Sequence, residues 1–260
     1  MKRKPVSVDD FEGFSIRVNN IYTSRKQLDW FKKAFDEPNN INSFAFVASF
    51  PVICQCLVQS NIPSPLLGLI HISSEFSVEN PHNWLLPSDI EVNIKHVNKT
   101  DKGLVYEVET LIYQMDYLTI QNTNVMLDKD RSYKPDNKVT SNKAEDLAIN
   151  KALSSTGIGL KTALKYAWLS KDLNPIHLHP VFARAFGLKT ALIHGMFNAH
   201  YCLGELSKRD LLKNTDNVKF EFNRPCFMPN QVFLRPYENS SNYGLFSKDK
   251  SERFLKIEVN

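Results

Sequence analysis

The sequence predicts an α+β protein in which antiparallel sheets follow apolar helices and one plan is used twice. Three observations carry this prediction. Apolar and polar residues alternate through several short segments, the period of a strand with one buried face. Prolines close corners at corresponding places in both halves, Pro81 with Pro225 and Pro87 with Pro229. A polar stretch at 128–145, DKDRSYKPDNKVTSNKAE, has no apolar period and many turn formers, and it divides the chain near its middle.

Taken in order, the first half reads as a helix over 24–35 (ending KQLDWFKKAF) and an apolar helix over 52–60. Strands follow at 69–78, 90–96, 104–112 and 117–127, with 81–87 as the proline-bounded corner. The second half repeats the order, with a helix over 180–186, an apolar helix over 195–207, and strands at 217–223, 231–237, 243–247 and 253–259. PCFMP at 225–229 is its corner. Residues 1–127 and 146–260 are therefore expected as two similar halves joined by a linker at 128–145. Superposing them sets Phe50-Pro51-Val52 against His194-Gly195-Met196.

Composition narrows the function classes. The 260 residues are 42% hydrophobic and 23% charged, as in an ordinary globular protein with ample surface to bury. The net charge of +4 is mild, and nucleic-acid binding has no support beyond it. No stretch approaches the apolar length of a membrane span, and the basic start MKRKPVS leads into polar sequence. Cys54, Cys56, Cys202 and Cys226 are too few and too irregular for a disulfide framework and read as buried thiols. A cytoplasmic location is expected.

The chemistry concentrates in YAWLSKDLNPIH at 166–177, followed by IHGM at 193–196. An acid, an amide, a proline and an imidazole lie within six residues, Asp172 to His177. On a continuous helix Asp172 and His177 would point about 140° apart. Pro175 disfavours helix at Asn174 and predicts a turn, which can fold both side chains toward one volume. Proton-transfer catalysis needs such a pair. Gly195 opens the second apolar helix, where free N–H groups and the positive end of the dipole favour an oxyanion.

With these residues laid out, the second half resembles the MaoC-like dehydratases, also called type-2 or (R)-specific enoyl-thioester hydratases. The resemblance rests on YAWLSKDLNPIH, VFARAFG, LIHGM and the corner RPCFMP, and covers 166–229 strongly. It implies a double hot-dog, two curved antiparallel sheets each wrapped around a central helix, with the first half shaping an acyl pocket. It implies (R)-specific hydration of trans-2-enoyl thioesters, or the reverse dehydration of 3-hydroxyacyl thioesters, in fatty-acid metabolism. Asp172 and His177 would be catalytic, Gly195 the oxyanion donor, and Asn174 and His194 supports of the site. No metal or cofactor is implied beyond the coenzyme A or acyl carrier protein that carries the substrate. A homodimer or a hot-dog partner is an expected association. One departure stands out: Lys171 occupies a position where the family usually has glycine, which would strain a lysine if φ is positive there.

Plainer readings stand beside these. Asp-x-Asn-Pro alone is a common turn sequence. His177-x-His179 has metal-like spacing but no supporting ligands. His71, His96 and His200 read as structural. Tyr166, Trp168, Phe182, Phe186 and Phe197 read as core, with Phe197 alone placed to face an acyl chain. Arg224 and the scattered lysines could meet the nucleotide phosphates of coenzyme A, with a solvated surface as the default reading. A non-catalytic acyl-thioester-binding subunit is the alternative reading, and a thioesterase a weaker one.

Overall fold

The structure is a computed structural model that describes residues 11–35, 43–129, 149–212, 217–238 and 240–260. In the first half, strand β1 (Ser15–Ile21) and helix α1 (Arg25–Phe35) precede the long helix α2 (Phe44–Gln59). Strands β2 (Leu69–Val78), β3 (Ser88–Thr100), β4 (Gly103–Gln114) and β5 (Tyr117–Lys129) follow. The second half has β6 (Ser154–Ile158), α3 (Leu160–Ser170), the short helices α4 (Pro175–Leu178) and α5 (Pro180–Ala185), and then α6 (Gly195–Ser207). Strands β7 (Asn217–Phe222), β8 (Asn230–Pro236), β9 (Tyr243–Phe246) and β10 (Arg253–Val259) complete it. The expected linker begins inside β5, which holds Asp128 and Lys129; 130–145 lie outside the described residues.

The strands form one ten-stranded sheet in the order β1-β3-β4-β5-β2-β7-β10-β9-β8-β6, and every pairing is antiparallel. Each half contributes five neighbouring strands. They are joined where β2 pairs with β7 in a register from Ser73↔Glu221 to Ser77↔Asn217. Alternation in sequence becomes alternation in burial: Tyr106, Val108, Thr110 and Ile112 of β4 all point inward and are fully buried. Where β5 would continue this pattern it buries Asn122 and Asn124 instead. They are satisfied by a local network in which Asn124 Nδ2 donates to Asn122 Oδ1 at 2.7 Å and Asn122 Nδ2 donates to Ser74 Oγ at 3.0 Å.

Helix α2 packs against β1, β3, β4 and β5, and α6 against β10. Its sequence, FAFVASFPVICQCLVQ, is apolar nearly all round, as burial between a sheet and other helices requires. It begins at Phe44, eight residues before the expected start at Val52. Pro51 reads naturally as a helix opener, but it sits inside α2, where packing outweighs the lost backbone hydrogen bond. The proposed equivalence of Phe50-Pro51-Val52 with His194-Gly195-Met196 fails for the same reason: the former lies mid-helix, the latter at a helix start.

Helix α1 meets α6 at Gly204, where a Cβ would fall 1.5 Å from the Phe35 carbonyl oxygen. Glycine is what permits this contact. Phe31, Phe35, Phe44, Tyr166, Phe197 and His200 pack edge-to-face or tilted around it, with ring centroids 4.9–6.0 Å apart. Phe197 is thus committed to this aromatic cluster, against the expectation that it faces an acyl chain.

Candidate active site

The site is built by the connection from α3 through α4 and by the segment that enters α6. Helix α3 ends at Lys171, which adopts the left-handed conformation at φ 64°, ψ 9°. This is the usual way to stop a helix and turn the chain, and glycine is the residue that does it without cost. Ser170 Oγ donates to the Tyr166 carbonyl at 2.9 Å and accepts from the Asp172 N–H at 3.3 Å, holding the turn. Asp172 Oδ1 accepts from the Asn174 N–H at 3.2 Å. Asn174 in turn caps α4, its Oδ1 accepting from the Ile176 N–H at 3.4 Å, with Pro175 as the first helical residue. The motif is therefore a chain of turn and cap contacts that ends by presenting His177.

His177 is buried and its Nδ1–H donates to the Leu192 carbonyl at 2.9 Å. Because a carbonyl can only accept, this bond places the proton on Nδ1 and leaves Nε2 as a lone-pair acceptor in the neutral ring. His194 is also buried, and its Nε2–H donates to the Asp172 carbonyl at 3.0 Å. The two imidazoles stack at 3.8 Å between centroids, 29° from parallel. Residues 191–193 are laced to the 225–229 corner as well: the Ile193 N–H donates to Cys226 at 3.0 Å and the Met228 N–H to Ala191 at 2.9 Å.

Burial governs the titration here. It raises the Asp172 carboxyl above the ordinary carboxylate range, against the opposing pull of His177 and the Asn174 N–H. It lowers His177 below the ordinary imidazole value, against the pull of Asp172 and the Leu192 carbonyl. His194 is pushed well down by burial and by the neighbouring His177. Both histidines are neutral at pH 7, and Asp172, 22% exposed through its side chain, is the group that meets solvent.

The carboxylate and the two ring nitrogens lie within 4.8 Å of one another. Ligands of a tetrahedral zinc stand about 3.4 Å apart, given metal–nitrogen bonds near 2.1 Å. Two groups sharing one water stand about 4.6 Å apart, given bonds near 2.8 Å. Asp172, His177 and His194 bring three ligand-type groups into one small volume, with His194 Nε2 3.9 Å from Asp172 Oδ2.

Gly195 follows directly as the first residue of α6, and no side chain caps that end. Its φ is not positive, so the demand for glycine is steric: a Cβ would lie 2.9 Å from Phe222 Cδ1 and 3.0 Å from Cε1. All five expected site residues, Asp172, Asn174, His177, His194 and Gly195, line one cavity of about 620 Å³. The other half supplies much of its wall, including Phe46, Phe50, Ile53, Leu57 and Met126. Arg224 lies on its rim, 3.7 Å from Glu252.

Three contributors were not foreseen. Cys54 lines the cavity from α2, its thiol raised to about 11 by burial and by the nearby Asp172 carboxylate. Phe222 forms the floor beneath Gly195, and its end-of-strand position in 217–223 was the one available signal. His71, read as structural, also lines the cavity; its ring packs 4.7 Å from Phe222 and its Nε2 meets Asn124 Oδ1 at 3.0 Å. Conversely, Trp168, Phe182 and Phe186 are 61%, 52% and 46% exposed rather than core, because they lie on the outer faces of α3 and α5.

Comparison with known proteins agrees with this geometry. Residues 128–250 match the MaoC like domain. The chain is 22% identical over 214 residues to 3-hydroxyacyl-thioester dehydratase X of Mycobacterium tuberculosis, covering 82% of this chain and 75% of that one. The crystal structure of HtdX of Mycobacterium tuberculosis superposes with a TM-score of 0.77 at 18% identity, over 94% of this chain and 98% of that one. A conserved hypothetical protein of the same organism, described as having a double hotdog fold, superposes at 0.57 with 10% identity, over 97% and 96%. Residues 128–250 thus carry a MaoC-like domain, and the whole chain folds as a double hot-dog.

Proposed function

We propose that this protein catalyses the reversible hydration of trans-2-enoyl thioesters to (R)-3-hydroxyacyl thioesters, in fatty-acid metabolism. The observation that carries the reading is the juxtaposition of Asp172 and neutral His177 at a helix N-terminus, inside an apolar cavity built by both halves. The dehydratase name of the Mycobacterium tuberculosis relative supports it.

In the hydration direction a water is held between the Asp172 carboxylate and His177 Nε2. The pair removes one proton as the water oxygen bonds to C3, and the C2–C3 π electrons move toward the thioester carbonyl. The N–H of Gly195 and the positive end of α6 stabilise the charge that develops on that oxygen. C2 then takes a proton from the pair, which restores it. No oxidation state changes, so a proton-transfer pair and an oxyanion donor suffice for the chemistry. Acid–base catalysis of this kind contributes about 10²–10⁴-fold in rate. Asn174 and His194 act by fixing the loop. We place the reaction in the cytoplasm, consistent with four cysteines present as free thiols; among the described residues no helix is long and apolar enough to cross a membrane.

The test is loss of the conjugated absorbance of crotonyl-CoA and longer enoyl-CoA thioesters, with chiral analysis of the product. Wild type should turn over, and Asp172→Asn and His177→Ala should each lose at least 100-fold. Equal rates in all three would refute the roles given to these residues. A second reading, an acyl-thioester-binding subunit without turnover, is favoured only by Lys171 in its left-handed conformation beside Asp172. Tight acyl-CoA binding with no reaction, restored by Lys171→Gly, would select it.

A further inference from the structure

Around the catalytic end of the cavity the fold leaves a face uncovered that is both apolar and basic. Leu164 and Trp168 on α3, Leu173 in the following turn, and Val181, Phe182 and Phe186 on or just after α5 are each 38–61% exposed. Helix α4 packs against both α3 and α5 and so brings the two helices to one end of the second half. On α3 the helical period places Lys161, Leu164, Lys165 and Trp168 on a single side. Exposed apolar residues gathered in this way mark interaction sites rather than an ordinary surface.

The segment that supplies this face is basic. Between residues 159 and 190 the cations are Lys161, Lys165, Lys171, Arg184 and Lys189, and the sole carboxylate is Asp172, which belongs to the active site. Among the described residues none of these five cations pairs with a carboxylate, and Lys189 lies 4.4 Å from the Phe227 ring. Lys171 and Leu173 line the cavity and are exposed as well, so they belong both to this face and to the site.

We propose that this face docks an acidic carrier protein that presents the acyl thioester on a flexible arm. The inference rests on the hydration reading and names the form in which that site receives its substrate. Three features select this occupant. An isologous contact with a second copy would set these cations against themselves. Lys171 and Leu173, exposed between α3 and α4, line the cavity on either side of Asp172, so a body resting on this face has a short path for a thioester arm to the reacting pair. Apolar contacts ringed by complementary charge are what a specific but transient protein partner needs, with the charges speeding encounter.

The experiment presents one trans-2-enoyl group on a bacterial acyl carrier protein, on coenzyme A and on pantetheine. The carrier protein should give the lowest KM, rising steeply with salt. The triple variant Lys161→Glu/Lys165→Glu/Arg184→Glu should raise that KM at least tenfold and leave kcat/KM for the pantetheine thioester unchanged. An equal KM for all three substrates in wild type would overturn the proposal. So would an equal loss on coenzyme A and carrier protein, which would mark a nucleotide-phosphate site. So would loss of co-sedimentation with phosphatidylglycerol vesicles while the carrier KM holds, which would mark a lipid surface. Should the triple variant fail to fold, Trp168→Ala on the same face makes the comparison. Absence of turnover on all three thioesters in wild type would instead defeat the hydration reading. Docking is then decided by the fluorescence anisotropy of labelled acyl carrier protein: saturable binding that the triple variant or Trp168→Ala weakens at least tenfold sustains it, and no binding overturns it.

Discussion

His177 and His194 fasten each other's loops crosswise: His177 donates its ring N–H to Leu192, two residues before His194, and His194 donates its own to Asp172, five residues before His177. Their rings stack at 3.8 Å between these two bonds. The arrangement fixes the tautomer of each ring and holds the Asp172 backbone at a set distance from the α6 entrance.

His194→Ala should therefore lower kcat about 10- to 100-fold while KM stays within about twofold, since positioning errors near 1 Å cost about that much in rate. The His194→Gln variant keeps a donor toward the Asp172 carbonyl and should recover part of the loss. Steady-state kinetics of both variants checks this; a KM change with kcat intact would contradict a positioning role.

The activity should have an acid limb above the ordinary carboxylate value of 3.8. Burial lowers His177 and raises Asp172, so the working form, neutral imidazole with ionised carboxylate, dominates above both. The midpoint belongs to the pair rather than to either residue. A kcat/KM profile measured from pH 3 to 9 should fall on the acid side, and a profile with no acid limb above 3.8 would contradict the assignment.

Asp172→Asn should stabilise the fold while it abolishes activity. The folded state raises the Asp172 pKa, so it binds more protons than the unfolded chain between 3.8 and the raised value, and stability from this group is lost as pH rises through that window. Asparagine removes the buried charge and keeps an oxygen for the Asn174 N–H. Thermal melts should place the variant above wild type at pH 7–8, and the gap should close below pH 4.

Lys171→Gly should stabilise by about 1 kcal/mol, the usual cost of a non-glycine side chain in the left-handed region. For a chain of this size that is a rise of about 2–4 °C in Tm. Chemical or thermal denaturation measures it; an unchanged or lower Tm would mean that the Lys171 side chain makes compensating contacts.

Gly195→Ala should cut activity at least tenfold, because the added methyl meets the Phe222 ring at 2.9 Å and displaces either the ring or the helix entrance. Phe222→Leu in the same chain should restore part of the rate by clearing that space. Failure of the double variant to exceed the single one would place the damage elsewhere.

The sequence was most legible where periodicity was strong and both ends were punctuated. The observed bounds of β2, Leu69–Val78, coincide with the expected strand, and the other long strands of the first half differ only at their ends. Strands β1 and β6 were not expected, since they are short outer strands whose exposed positions blur the alternation. Helix α3 was hidden because its reading was absorbed into the loop that follows it, and α2 was shortened by Pro51. The clustering of Asp172, Asn174, His177, His194 and Gly195 could be anticipated, because a proline turn and a helix start are local features. The parts of the cavity that come from Cys54, Phe46, His71 and Phe222 could not, since they depend on how the two halves join through β2 and β7, and no spacing within either segment encodes that. The outward position of Trp168, Phe182 and Phe186 was missed because an aromatic side chain reads as core until its helix face is known.

The pairing of β2 with β7 also makes the two halves mutual insurance against self-association. Each strand would otherwise present a row of open N–H and carbonyl groups, the template on which other chains add and aggregates grow. Cutting the chain at its middle would bare both rows at once, so a catalytic half expressed by itself should be lost to insolubility before its chemistry could be assayed. The half without a catalytic motif is in this sense the chaperone that its partner carries permanently attached.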